Sequence, residues 1–290
     1  MFNGALTALV TPFRDGEVDA RALRDLIEWQ IQSGIDGLVP CGSTGESATL
    51  THAEHDSVIK LTIEQVRKRV PVIAGTGSNS TAEAIRLTAA AREMGADGAL
   101  LLSPYYNKPT QDGIYRHYKT IAASVDLPLF VYNVPGRTSS NVLPETVARL
   151  SEIKNIVGIK EASGSMDQSS DILKMCGDRI TILSGDDALT LPLVALGAKG
   201  VIATCSNIVP REMHDLAAAA LAGDFAKARE IHFRLLPVMR ALFVETNPIP
   251  IKQALAFVGK CANELRMPLV PMTAGPADKL RIAMKELRLV

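Results

Sequence analysis

Eight short apolar runs recur along this chain, and each is followed by a segment with helical spacing. Residues 5–10, 37–40, 72–75, 99–103, 129–133, 157–161, 181–184 and 201–204 read as strands. They are continuous apolar stretches rather than alternations, the pattern of strands buried on both faces. Between them, Leu23, Leu26, Ile27 and Ile31 mark a helix stripe, as do Ile59, Ile63 and Val66, and Ala84, Leu87, Ala91 and Met94. Thr51-His52-Ala53-Glu54 and Ser80-Thr81-Ala82-Glu83 read as capping boxes, and Pro144 suits a first helical position. One junction repeats: Gly34-Ile35-Asp36-Gly37, Gly95-Ala96-Asp97-Gly98 and Gly197-Ala198-Lys199-Gly200. Its first glycine fits the left-handed residue that ends a helix, and its second permits a tight start to the strand. Eight βα units of this kind predict an α/β chain folded as a (β/α)8 TIM barrel. A doubly wound open sheet is the rival, but it expects a G-x-G-x-x-G turn after its first strand, where this chain has Thr11-Pro12-Phe13.

The 290 residues suffice for one such barrel as a single domain. After Pro210 the pattern changes to Ala/Leu/Lys-rich helical stretches without a good strand. The expected division is a catalytic barrel over 1–224 and a C-terminal helical extension over 225–290. No Gly/Ser or Pro linker separates the two, so the extension should pack on the barrel or on a partner subunit. Lys plus Arg (31) balance Asp plus Glu (31), which argues against nucleic acid or an anionic membrane as the main partner. No uncharged apolar run approaches the ~18 residues of a membrane span. Met1-Phe2-Asn3-Gly4 shows no basic, cleavable leader. Cys41, Cys176, Cys205 and Cys261 lie far apart, with no C-x-x-C pair and no disulfide framework. A reduced, cytoplasmic setting is expected.

In a barrel of this kind the active site lies at the C-terminal ends of the strands. Lys160 falls within the apolar run Ile156-Val157-Gly158-Ile159-Lys160-Glu161. Burial disfavours the charged ammonium, and a neutral amine can attack a carbonyl to form a Schiff base. The structural alternatives are a lysine paired with Glu161 or one that faces outward. Gly42-Ser43-Thr44-Gly45-Glu46-Ser47 follows the second strand, and its hydroxyls and backbone N–H groups can bind a carboxylate or phosphate; an ordinary βα turn is the alternative. Tyr132 closes the fifth strand, where a phenol can relay a proton or simply sit in the core. Tyr105-Tyr106 follows the end of the fourth strand. His52 and His55, spaced i and i+3, share a helix face, but no third ligand is identifiable, so surface or helix-terminal histidines are expected rather than a metal site.

Together, Gly42-Ser43-Thr44-Gly45-Glu46, Tyr132-Asn133-Val134-Pro135 and Gly158-Ile159-Lys160 resemble the motifs of the pyruvate-dependent, Schiff-base-forming aldolases and lyases. That superfamily contains dihydrodipicolinate synthase and N-acetylneuraminate lyase. The resemblance runs from Gly4-Ala5-Leu6-Thr7-Ala8 to Asn247-Pro248-Ile249-Pro250. Within it, Arg137 after Tyr-Asn-Val-Pro-Gly is similar to the 4-hydroxy-tetrahydrodipicolinate synthase family, as are Ser103-Pro104-Tyr105-Tyr106-Asn107, Leu183-Ser184-Gly185-Asp186-Asp187 and Asn247-Pro248-Ile249-Pro250. The sugar-acid lyases usually lack that arginine. Ser43 departs from the threonine of many members but keeps the hydroxyl; it lacks the β-methyl that stiffens the side chain.

The resemblance implies a lyase that condenses pyruvate with L-aspartate 4-semialdehyde in diaminopimelate and lysine biosynthesis. Lys160 would carry the Schiff base, and Tyr132, Ser43 and Tyr106 would relay protons. Thr44 would hold the pyruvate carboxylate and Arg137 that of the aldehyde, with Gly185 and Ile202 completing the pocket through their carbonyls. No metal or organic cofactor is implied. Tyr106 would reach a neighbouring subunit's site in a homotetramer built as a dimer of dimers. Ser47, Ala48, His52, His55, Asn79, Glu83 and Tyr105 match a site for L-lysine as feedback inhibitor. There Glu83 would pair with the ligand's ammonium, although it can also serve only to complete the Ser80 capping box. Two rivals remain: an N-acetylneuraminate or 2-keto-3-deoxy sugar-acid lyase of the same fold, and a non-catalytic barrel that senses a keto acid.

Overall fold

The computed structural model describes residues 2–290. Strand β1 (Gly4–Ala8) is followed by a two-residue hairpin, β2 (Phe13–Arg14) and β3 (Glu17–Val18). The remaining strands are β4 (Gly37–Val39), β5 (Ile73–Gly75), β6 (Gly98–Leu102), β7 (Leu129–Asn133), β8 (Ile156–Glu161), β9 (Thr181–Ser184) and β10 (Gly200–Ala203). Apart from the hairpin, they form one parallel sheet in the order β4-β1-β10-β9-β8-β7-β6-β5, and a bridge between Leu38 and Val72 joins its two ends. This is a (β/α)8 barrel. All eight strands fall where the apolar runs placed them. The hairpin was not anticipated, because Arg14-Asp15-Gly16-Glu17 is polar and its strands are too short to show a pattern.

The crossovers are α1 (Ala20–Gln32), α2 (His52–Val66), α3 (Thr81–Met94), α4 (Gln111–Ser124), α5 (Pro135–Thr138) with α6 (Pro144–Leu150), α7 (Met166–Cys176), α8 (Thr190–Leu196) and α9 (Pro210–Leu221). Gly34, Gly95 and Gly197 sit at φ 87°, 92° and 118°, in the left-handed region that ends a helix. The Thr51 capping box is complete. At Ser80 only half of one forms: its hydroxyl accepts from the Glu83 N–H, but the Glu83 carboxylate turns away to Ser78 and His52.

Leu6, Ala8, Val39, Ile73, Leu100, Phe130, Tyr132, Leu183 and Ile202 point inward and fill the barrel. Each fully buried Leu or Ile contributes roughly 1.5–3 kcal/mol relative to exposure. The Phe2 ring meets Phe130 edge-on at 5.2 Å. The filled interior confines any ligand to the end of the barrel where the strands finish.

Three further helices follow: α10 (Phe225–Ala241), α11 (Ile249–Phe257) and α12 (Ala274–Glu286). Ala228, Ile231, Leu235, Ile251, Leu255 and Leu280 join one apolar cluster with Leu9, Leu26 and Leu216 of the barrel. The extension therefore packs on the barrel. Among the described residues no helix is long and apolar enough to cross a membrane.

Candidate active site

In-register pairing places Tyr132 of β7 opposite Lys160 of β8, and Lys160 opposite Leu183 of β9. Neighbouring residues of parallel strands in register project to the same face, so Tyr132 and Lys160 both point into the barrel mouth. The Lys160 Nζ lies 4.4 Å from the centre of the Tyr132 ring. Lys160 is 6% exposed, and no carboxylate comes within ion-pairing distance of it among the described residues.

Glu161 does not pair with Lys160. One residue further along β8, it faces the helices, where Asn133 Nδ2 donates to its Oε2 at 3.0 Å and the Ser163 N–H to its Oε1 at 2.7 Å. The alternation of a strand sends the acid and the amine to opposite faces.

A cavity of about 240 Å³ opens above Lys160, lined among others by Ser43, Thr44, Tyr132, Arg137, Gly185 and Asn247. The turn after β4 lies on its wall. Cys41 and Glu46 both adopt left-handed backbone, at φ 55° and 54°, a costly conformation that persists only when surroundings impose it. Within the turn the N–H groups of Gly45, Glu46 and Ser47 bond internally. Those of Ser43 and Thr44 find no protein acceptor among the described residues, which leaves two adjacent donors for an anion. Thr44 Oγ1 accepts from Asn247 Nδ2 at 3.0 Å.

Gly185 lies against the lysine stem: a Cβ there would come within 3.1 Å of Lys160 Cγ and Cε and 2.6 Å of Ala162 Cβ. The Ile202 side chain is packed inside the barrel, so only its backbone could contribute to the pocket. Arg137, on the short helix α5, stands at the rim. It donates to the Asn247 carbonyl at 2.7 Å and has no carboxylate partner among the described residues. Asp187 is buried beneath the β9–β10 edge, and burial pushes its carboxyl up to about 6. The Cys205 and Thr204 N–H groups it accepts from, and more weakly the Lys160 charge, oppose that shift.

Tyr106 is not brought into this cavity. It is 88% exposed at φ 72°, held by its N–H on the Thr138 carbonyl. The two histidines, expected at the surface on one face, are separated. His52 is exposed and meets Glu83 at 2.9 Å, whereas His55 is buried with its Nε2 on the Gly75 carbonyl at 2.8 Å. Burial lowers the His55 pKa. Of the other residues matched to a lysine site, Ser47 and Ala48 occupy the short 3-10 turn before α2, and Asn79 Nδ2 donates to the Tyr105 carbonyl at 3.3 Å. Among the described residues no group of three or more His, Cys, Asp or Glu is placed to hold a metal ion.

The Dihydrodipicolinate synthetase family matches residues 1–287. The chain belongs to this family. A 4-hydroxy-tetrahydrodipicolinate synthase of Syntrophus aciditrophicus is 58% identical over the whole of both chains. Among solved structures, the dihydrodipicolinate synthase of Acinetobacter baumannii complexed with pyruvate is 44% identical over the whole of both chains, with a TM-score of 0.99. The enzyme of Cyanidioschyzon merolae with lysine bound is 41% identical over 100% of this chain and 99% of the other, with a TM-score of 0.97.

Sequence reasoning gave no role at this cavity to two residues, Lys252 and Asn247. Lys252 carried a signal: a lysine inside Ile249-Pro250-Ile251-Lys252-Gln253-Ala254 is as anomalous as Lys160 in its strand. The contact of Asn247 with Thr44 spans 203 residues and has no local signature.

Proposed function

We propose that this chain is a 4-hydroxy-tetrahydrodipicolinate synthase that condenses pyruvate with L-aspartate 4-semialdehyde through an imine on Lys160. The observation that carries the reading is the buried Lys160 amine with no carboxylate partner, in register beside Tyr132, at the floor of a cavity that also holds an anion-binding turn and Arg137.

Pyruvate enters with its carboxylate on the Ser43 and Thr44 N–H groups and the Thr44 hydroxyl. The Lys160 amine attacks the keto carbon, and loss of water leaves a protonated imine. The imine draws electrons from the methyl carbon, which loses a proton to give an enamine. Tyr132 and Ser43 stand at the cavity to take and return protons. The enamine carbon attacks the aldehyde of the second substrate, forming the new C–C bond. Arg137 holds that substrate's carboxylate, a task suited to a planar guanidinium. The second substrate's amine then displaces Lys160 from the imine carbon, which closes the ring and frees the enzyme. The lysine is the electron sink, so the chemistry calls for no metal or organic cofactor. A sugar-acid lyase has less use for a guanidinium at the rim, and the 58% identical relative carries the synthase name.

The reading extends to a cytoplasmic homotetramer, a dimer of dimers, in which Tyr106 joins the proton relay of a neighbouring copy. Its exposure, and its place outside the lining of its own cavity, support this. L-Lysine is read as feedback inhibitor at the His52–Glu83–Asn79–Tyr105 group, and the lysine-bound relative from Cyanidioschyzon merolae supports that. His55 contributes from beneath, by fixing the Gly75 strand end rather than by presenting its ring.

Borohydride added with pyruvate is expected to leave one reduced adduct per chain, on Lys160, and Lys160→Ala is expected to lose both adduct and turnover. A peptide map that places the adduct on another lysine overturns the assignment.

A further inference from the structure

The chain buries a second lysine that the reaction does not use. Lys252 of α11 is fully buried, and its Nζ forms an ion pair with Glu46 Oε1. The same ammonium donates to the Glu264 carbonyl at 2.8 Å and lies 4.0 Å from the centre of the Phe13 ring. Glu46 lies in the anion-binding turn, two residues after Thr44, and holds a left-handed backbone. Its other carboxylate oxygen accepts from the Arg266 N–H at 3.2 Å. Both charges of the pair therefore sit in the join between the C-terminal extension and the turn.

A buried ion pair is weak evidence for added stability, since desolvation offsets its attraction. Such a pair does hold its two backbones in one arrangement. Here one backbone is strained and carries the Ser43 and Thr44 N–H donors. Besides the Arg266 N–H, two bonds between neutral groups reach the turn: Thr11 Oγ1 donates to the Gly45 carbonyl at 2.8 Å, and Asn247 Nδ2 to Thr44 Oγ1. Asn247, like Lys252, belongs to the extension, five residues before it in the chain.

We propose that Lys252, acting through Glu46, is a positioning residue that holds the Ser43–Thr44 donors in the geometry that grips the substrate's carboxylate. The inference rests on reading this turn as the pyruvate-carboxylate site. The helical extension is on this account part of the substrate-binding apparatus. A 1 Å displacement of positioning groups can cost on the order of a hundredfold in rate.

The test compares wild type with Lys252→Met, with Glu46→Gln and with the double variant Glu46→Gln/Lys252→Met. Thermal midpoint, kcat and the KM of each substrate are measured, together with the pyruvate concentration that half-saturates borohydride trapping. Lys252→Met strands a buried carboxylate and is expected to lower the thermal midpoint most. The double variant removes both charges, keeps an acceptor for the Arg266 N–H and is expected to regain most of that loss. Its half-saturating pyruvate concentration and pyruvate KM are still expected to rise about tenfold, with little change in the aspartate semialdehyde KM. Glu46→Gln, which keeps the shape of the turn, is expected to shift pyruvate affinity in the same direction. Pyruvate affinity within about twofold of wild type in the double variant and in Glu46→Gln overturns the inference, as does an equal rise in both KM values. Failure of wild type itself to form the pyruvate adduct overturns the functional reading instead, so the two failures are separable.

Discussion

Arg137 donates to the Asn247 carbonyl and keeps the rest of its guanidinium at the cavity rim, without a carboxylate partner among the described residues. Arg137→Ala is therefore expected to raise the aspartate semialdehyde KM and to cost about 2–4 kcal/mol in its transition-state binding, while borohydride trapping of pyruvate stays near wild type. Equal damage to both substrates would show that its bond to Asn247 is what matters. Gly185→Ala places a methyl against the Lys160 stem and Ala162, so it should slow imine formation more than it lowers the thermal midpoint. Stopped-flow trapping and calorimetry separate the two effects. At this scale the sequence was legible where chemistry and strand period coincide. Lys160 stood out as a lysine in an apolar run, and alternation alone sends Glu161 to the other face. The burial of His55 was not legible: its i, i+3 relation to His52 says nothing of which carbonyl waits across the interface.

Among the elements, the extension is tied to the barrel by a second ion pair besides Lys252–Glu46. Arg266 pairs with Glu54 of α2, and also donates to the carbonyls of Gly16 at 2.8 Å and Thr49 at 3.1 Å. The guanidinium holds the Glu54 carboxyl down at about 2, well below the usual carboxylate range. A folded-state pKa below the unfolded one contributes stability at neutral pH, and that contribution is lost as pH falls from about 4.5 towards 2. Urea unfolding across this window should show wild type losing on the order of 2 kcal/mol more than Arg266→Ala, with the two curves converging at the acid end. Parallel curves would mean that Glu54 gains nothing from the arginine. The strands themselves were easy to find because burial on both faces makes their runs uniformly apolar. The hairpin of Phe13–Arg14 and Glu17–Val18 carried one local signal, the Asp15-Gly16 pair, but its two-residue strands show no pattern beside it; the Glu264 carboxylate, accepting from the Asp15 and Gly16 N–H groups, is a contact no local window contains.

For the whole molecule, two expectations concern what a single chain leaves open. Tyr106, exposed and away from its own cavity, should complete a neighbour's. Mixing inactive Tyr106→Phe with inactive Lys160→Ala should then restore activity in proportion to the mixed assemblies formed, because one site in each regains both residues. No recovery after subunit exchange, checked by native mass spectrometry, would place Tyr106 outside the relay. The His52–Glu83 contact, with Ser78 Oγ donating to Glu83 Oε2 at 2.5 Å, fixes the carboxylate that the proposed lysine site would offer to an ammonium group. L-Lysine should inhibit partially at saturating pyruvate, and Glu83→Ala should remove that inhibition. Inhibition unchanged by the substitution would count against the site.

The order of apolar runs, the junction glycines and the capping residues are local, and they were enough to specify eight βα units and hence the barrel. The same locality marked candidate residues at strand ends, Ser43, Thr44, Tyr132 and Lys160, whereas Arg137 was marked only by the resemblance to the synthase family. What only the tertiary structure decided is whatever depends on contacts across long stretches of chain. Strand register set Tyr132 beside Lys160. Closure of the barrel brought the turn of 42–47 to the same mouth, and packing of the extension laid Asn247 and Lys252 on that turn from some 200 residues away. Such contacts follow from how whole elements bury their apolar faces, and no window of sequence contains both partners.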